Sequence, residues 1–229
     1  MSTQDLFVRW AAAADGARVW QRPGATVVAC ANLAHWDRLV MSGNPATLAT
    51  LLREVMPEVG TSFRPFGPEP LVTAVVARMP ELVATARFAW MEVTEPIGRV
   101  PSGDPYWLGE DEWPEVGKLL DESFPDSYAR PGGTGVARWA GLRDTGGRLL
   151  AVAADAWSTG EVGFLAGVTT RPEARGRGLA AGLCAWAADE LLAGRERVAL
   201  LADYDNVVAV ATYHKLGFAT RRVAAAKQL

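Results

Sequence analysis

A chain of 229 residues with a hydrophobic content of 49% is long enough to bury a sizeable core, as one large domain or two small ones. Twenty-three Lys and Arg against 26 Asp and Glu leave a formal charge of -3, so there is no general pull toward nucleic acid or an anionic membrane, and any anion site must be local. No apolar run approaches the ~18 to 20 residues that cross a bilayer, and the opening MSTQDLFVRW lacks a basic region followed by an apolar stretch. With two isolated cysteines, Cys30 and Cys184, that read as buried packing residues in a reducing compartment, the expectation is a cytoplasmic protein without nucleic-acid or membrane partners.

In chain order, ATVVACANL and DRLVMSG read as paired strands, and PATLATLLREVM as a helix capped by Asn44 with Pro45 at its first position. LVATARFAWMEV, at 82–93, alternates as a strand, which completes a small α/β unit over 1–95. The segment EPIGRVPSGDP interrupts this periodicity with three prolines and two glycines, which places a linker at 96–104. The remainder, 105–229, opens with a helix whose Trp113, Val116, Leu119, Leu120 and Phe124 recur at helical spacing. RLLAVAADAW and EVGFLAGVTT then predict an antiparallel hairpin turning at Ser158, Thr159 and Gly160. A loop, RPEARGRG, leads into the helix LAAGLCAWAADELLA, ended by Gly194. The strand RVALLAD, the helix NVVAVATYHKL and a last strand from Gly217 and Phe218 close the chain.

The RPEARGRG loop is the first chemical signal. Arg175, Gly176, Arg177, Gly178, Leu179 and Ala180 run directly into a helix whose first turn has N–H groups without intrahelical partners. Glycines let an anion approach the main chain, and two arginines add charge-assisted donors to the positive end of the helix. Alone, such a loop fits a phosphate-bearing ligand or simply a solvated basic helix start. A second block follows: Asn206, Ala209, Tyr213, Gly217 and Phe218 stand at the spacing N-x-x-A-x-x-x-Y-x-x-x-G-F.

Together the two blocks resemble the GNAT superfamily of acyl-CoA N-acyltransferases. Arg175, Gly178 and Ala180 match its R/Q-x-x-G-x-G/A motif, Asn206 to Phe218 match its second block, and the resemblance covers about residues 104 to 225. The first half has no second copy of the motif and resembles only the degenerate N-terminal halves of two-part members such as glycine N-acyltransferase-like proteins. The resemblance implies an α/β (α+β) fold with a mixed, mostly antiparallel sheet flanked by helices, preceded by a smaller GNAT-like half. It also implies acetyl-CoA, or another acyl-CoA, as co-substrate without a metal. Main-chain groups near Val168, Thr169 and Thr170 would pair with the pantetheine arm, and Arg175 to Ala180 would hold the pyrophosphate. Asn206 would bind the arm or a water, and Tyr213 would act as general acid toward the departing thiolate. The acceptor would be a small-molecule or protein amine, and the protein a monomer or homodimer.

No general base stands out. Asp155, Glu161 and Asp203 are candidates at strand ends, and Asp126, Ser127 and Tyr128 sit where the family forms an acceptor wall. His35 and His214 are too separated for a zinc site and read as surface residues. Two other readings compete. Gly176, Gly178 and Gly182, with Asp203 ending the next strand, imitate a dinucleotide fingerprint, but RPEAR separates them from their strand and the Asn206 block goes unexplained. A non-catalytic acyl-CoA sensor would keep the loop and lose turnover.

Overall fold

The computed structural model describes residues 5–98 and 103–229. In chain order the elements are α1 (Leu6–Ala12), β1 (Arg18–Arg22), β2 (Ala25–Leu33), β3 (Trp36–Gly43), α2 (Pro45–Val59), β4 (Arg64–Pro68), α3 (Glu69–Val76) and β5 (Leu82–Val93). They continue with β6 (Tyr106–Trp107), α4 (Trp113–Ser123), β7 (Val136–Arg143), β8 (Leu149–Ala156), β9 (Val162–Thr170), α5 (Leu179–Leu192), β10 (Arg197–Asp203), α6 (Val207–Lys215) and β11 (Ala219–Gln228). The result is the expected mixed, mostly antiparallel α/β architecture flanked by helices.

Spatially the chain forms two compact units. The first runs to Trp90 and takes in Ala202–Asp205 and Thr220–Leu229; the second is Met91–Leu201 with Asn206–Ala219. The last strand counts with the first unit because β11 pairs antiparallel with β4, Val223 opposite Pro68 and Ala225 opposite Phe66. Of the 96–104 segment, residues 99–102 lie outside the described residues. Its start is tied down within the second unit, where Asp189 of α5 accepts the main-chain N–H groups of Ile97 (2.6 Å) and Gly98 (2.9 Å).

In the first unit β1, β2 and β3 form an antiparallel meander, and β4 joins β3 in parallel after α2 crosses over. Helix α2 starts where the sequence says it should: Asn44 Oδ1 accepts from the N–H groups of Ala46 (2.9 Å) and Thr47 (3.3 Å), and Pro45 occupies a position whose N–H would be unpaired anyway. Its Leu48, Leu52 and Val55 bury against Val27, Ala29, Leu39 and Met41 of the meander. Helix α1 packs on β2 and β3, and its Phe7 and Trp10 stack edge-on against Trp90.

In the second unit β6, β7, β8 and β9 pair antiparallel in that order and β10 joins β9 in parallel. Every position of β8 is buried, as expected of a strand covered on both faces. Val116, Leu119 and Leu120 of α4 pack with Trp139, Val152 and Ala154, while α5 packs on β7, β8 and β9. Two sequence expectations need correction here. The helix after the linker begins only at Trp113, since Tyr106 and Trp107 pair with Gly141 and Ala140 as an edge strand. Phe124, expected on the apolar face of that helix, follows its last residue with an extended backbone and is 42% exposed.

Candidate active site

Strand β9 carries the site because both of its edges are irregular. Against β8, Thr170 faces Ala151 and Thr169 faces Val152, but Ala166 faces Ala154, so β9 holds an extra residue at Gly167 and Val168. Gly167 makes this bulge possible with φ +59, and a Cβ there would stand 2.7 Å from the ring of Trp139 and 3.1 Å from Ala129. The Thr169 hydroxyl donates to the Gly167 carbonyl at 3.1 Å and braces the bulge from within the strand. On its other edge β9 pairs with β10 only at Val162, Gly163 and Phe164. From Leu165 onward that edge has no strand beside it among the described residues, so the two strands splay.

The chain then turns into the basic loop. Arg171 is buried: its Nε donates to the Leu149 carbonyl at 2.8 Å, its main-chain N–H to the Leu150 carbonyl at 2.9 Å, and its Nη1 pairs with Glu122. Arg175 lies at the surface and is fixed by its Nε on the Thr170 carbonyl (3.1 Å) and its Nη2 on the Ser123 carbonyl (3.2 Å), which ties the end of β9 to the end of α4. Gly176 and Gly178 both adopt left-handed backbones (φ +74 and +77). Gly178 is the N-cap of α5, no side chain caps that helix, and its first internal bond is Gly182 N–H to the Gly178 carbonyl at 3.0 Å. The first-turn N–H groups are therefore open to a ligand, with Arg177 exposed beside them.

These elements border a cleft of about 460 Å³. Of the residues expected at the site, Val168, Thr169, Thr170, Arg175, Ala180, Asn206 and Tyr213 line it. Gly176, Arg177, Gly178 and Leu179 belong to the loop and helix start but not to its walls, and Leu179 turns its side chain into the core. Asn206 caps α6, its Oδ1 accepting from Ala209 N–H at 3.2 Å. Tyr213 is 7% exposed and packs against Phe218, with ring centroids 5.7 Å apart. Burial, together with the neighbouring Cys184 thiol, holds its phenol well above the ordinary tyrosine value, so it stays protonated.

Sequence reasoning missed Ser123, Phe124, Cys184, Val208, Ala209 and Thr212, which complete the lining. Helical spacing held a signal for some of them: Cys184 is one turn from Ala180, and Ala209 one turn from Tyr213. Ser123 and Phe124 come from the other side of the loop, and nothing local marks them. The Ser123 and Thr170 hydroxyls are buried in the wall without a hydrogen-bond partner among the described residues. They suit a polar ligand.

No carboxylate lines the cleft, and Arg175 is its one charged wall residue. Asp155 is held by Arg138 (3.0 Å) and by the Ser158 hydroxyl. Glu161 and Asp203 lie off the cleft, as do Asp126, Ser127 and Tyr128. His35 and His214 are both exposed. Among the described residues no group of three or more His, Cys, Asp or Glu is placed to hold a metal ion. A larger groove of about 850 Å³ in the first unit, between Asp5, Arg22 and Thr26, is walled by turn residues without an acid and nucleophile pair.

A family model described as "Acetyltransferase (GNAT) family" matches residues 103–218. Among solved structures, a GCN5-related N-acetyltransferase from Kribbella flavida superposes with a TM-score of 0.68 at 17% identity, over 98% of this chain and 96% of that one. A putative acetyltransferase of the GNAT family from Novosphingobium aromaticivorans gives a TM-score of 0.54 at 25% identity, over 88% and 90%. A GCN5-related N-acetyltransferase from Sphaerobacter thermophilus gives 0.60 at 15%, over 90% and 76%. No curated protein matches the chain.

Proposed function

The chain belongs to the acetyltransferase (GNAT) family, and from that premise we propose that it transfers an acetyl or other short acyl group from acyl-coenzyme A to a primary amine in the cleft beside β9. The observation that carries the reading is one convergence: an unpaired strand edge, an uncapped helix start with two left-handed glycines, and a buried tyrosine border the same cleft.

Each part has a chemical task. The free edge of β9 from Leu165 onward offers main-chain N–H and C=O groups to an amide-bearing arm, as an added strand would. The first turn of α5 and the arginines Arg175 and Arg177 hold pyrophosphate oxygens. Ser123 and Thr170 have hydroxyls to spare for the same ligand. The thioester supplies an activated acyl carbon. As the amine nitrogen bonds to that carbon, the carbon–sulfur bond breaks and its electron pair goes to sulfur. Tyr213 donates to that sulfur, and the nitrogen loses its extra proton to solvent.

The proton balance limits Tyr213. A reference tyrosine titrates near ~10 and a thiol near ~8.5, so full transfer is uphill by roughly 2 kcal/mol before burial is counted, and burial raises the phenol further. Tyr213 therefore acts mainly by a hydrogen bond that stabilises the developing thiolate. An ammonium cannot attack, and with no carboxylate in the cleft wall the acceptor is deprotonated through water. With an alkylamine acceptor, log kcat/KM should rise with a slope near one toward the amine's own pKa. A plateau several pH units below that value would contradict a water-mediated route. A screen of amines for thiol release from acetyl-CoA tests the function itself: transfer to at least one amine is expected, and tight binding without release over any of them would favour a sensor.

A further inference from the structure

We propose that Cys184 is a positioning residue for Tyr213, its thiol donating to the phenol oxygen so that the phenolic hydrogen points into the cleft; the proposal rests on Tyr213 acting on the sulfur of the donor. Cys184 lies in α5 one turn after Ala180, and both line the cleft opposite Tyr213 of α6. It is fully buried, and its thiol is hydrogen-bonded to the Tyr213 hydroxyl.

The direction of that bond decides what Tyr213 can do. A phenol has one hydrogen and two acceptor lone pairs. If the phenol donated to Cys184, no hydrogen would be left for a departing sulfur. If the thiol donates, the phenol is both fixed in orientation and free to donate. As charge shifts onto the phenol oxygen, the thiol bond to it becomes charge-assisted and strengthens. Burial raises the thiol to about 12, so Cys184 does not ionise in competition and remains a donor throughout the neutral range. The surrounding helix, with alanines at 180, 181, 185, 187 and 188, would pack as well with an alanine at 184, so packing gives no reason for sulfur there.

Calorimetric titration with coenzyme A and with desulfo-coenzyme A, near pH ~8.5 where the free thiol is partly ionised, isolates the contact at sulfur without an acceptor. The parent protein should prefer coenzyme A by roughly threefold to tenfold, the range of one hydrogen bond. That preference should vanish in Tyr213→Phe and shrink toward one in Cys184→Ala, while Cys184→Ser, which keeps a donor, retains most of it. In the Tyr213→Phe background Cys184→Ala should change nothing further. Unchanged affinity for desulfo-coenzyme A shows that each variant is folded. If Tyr213→Phe removes the preference but Cys184→Ala leaves it intact, the role of Cys184 is overturned and that of Tyr213 stands. A parent protein without any preference, or one that Tyr213→Phe leaves untouched, overturns both.

Discussion

Tyr213 and Gly167 show how single side chains set the chemistry and its frame. The phenol is buried, neutral and aimed at a cleft whose one charged wall residue is a cation. Tyr213→Phe should lower kcat by roughly 10- to 100-fold, at or below the usual range for a general acid, with KM for acetyl-CoA little changed. Unchanged turnover with an accepted amine would remove Tyr213 from the reaction. Gly167 and Gly176 both have left-handed backbones but differ in surroundings: a Cβ at 167 meets Trp139 at 2.7 Å, while at 176 nothing lies within 4 Å. Gly167→Ala should therefore cost more than the ~1 to 2 kcal/mol of left-handed strain that Gly176→Ala incurs, and it should displace Val168 and Thr169. Thermal melts of the two variants would compare them directly; equal losses would mean that the bulge tolerates a side chain.

At the scale of elements, the helix starts separate structure from function. Asn44 caps α2 with its own side chain, so Asn44→Ala should cost about 1 kcal/mol of stability, read as a lower melting temperature, without touching ligand binding. The start of α5 has no such cap, which leaves its N–H groups for phosphate. Arg177→Ala should weaken coenzyme A several-fold and leave S-acetyl-pantetheine, which lacks the pyrophosphate, unaffected. An equal loss for both would mean that Arg177 acts on the fold instead.

Much of this was legible in the sequence. Asn44-Pro45, the alternation of 82–93, and the Arg175 and Asn206 blocks are local signals that persist whatever packs around them. Other elements were hidden by composition or by distance. Strand β4, with the sequence RPFGP, carries two prolines that argue against a strand, and it survives as a short piece between β3 and β11. Strand β7 has charged Arg138 and Arg143 within it, whose partners Asp155 and Glu112 are 17 and 31 residues away. The bulge had a hint in the lone glycine of VGFLAGVTT, but only the register against β8 fixes where the extra residue sits. Ser123 and Phe124 reach the cleft because Arg175 ties their turn to β9 across 52 positions, a contact no window on the sequence contains.

For the whole molecule, two buried thiols link stability to pH. Burial raises Cys30 from 9.0 to about 11 and Cys184 from 9.0 to about 12. Above pH 9.0 the unfolded chain has shed protons that the folded chain keeps, so stability is full below that value and falls as pH rises toward the folded values. The slope approaches about 1.4 kcal/mol per pH unit for each thiol, and Tyr213 adds to it in the same direction at higher pH. Urea unfolding at increasing alkalinity should show the decline, and Cys30→Ala should flatten its first part; a pH-independent stability above 9 would contradict the burial of both thiols.

The central claim is that one acyl-CoA site lies beside β9 and at the start of α5. Calorimetric titration of the purified protein with acetyl-CoA tests it most directly. The expected result is a single site per chain whose affinity falls several-fold in Arg177→Ala, because the binding loop occurs once in the sequence and holds phosphate there. Two equivalent sites, or binding indifferent to Arg177→Ala and to Ala180→Glu at the helix start, would contradict it.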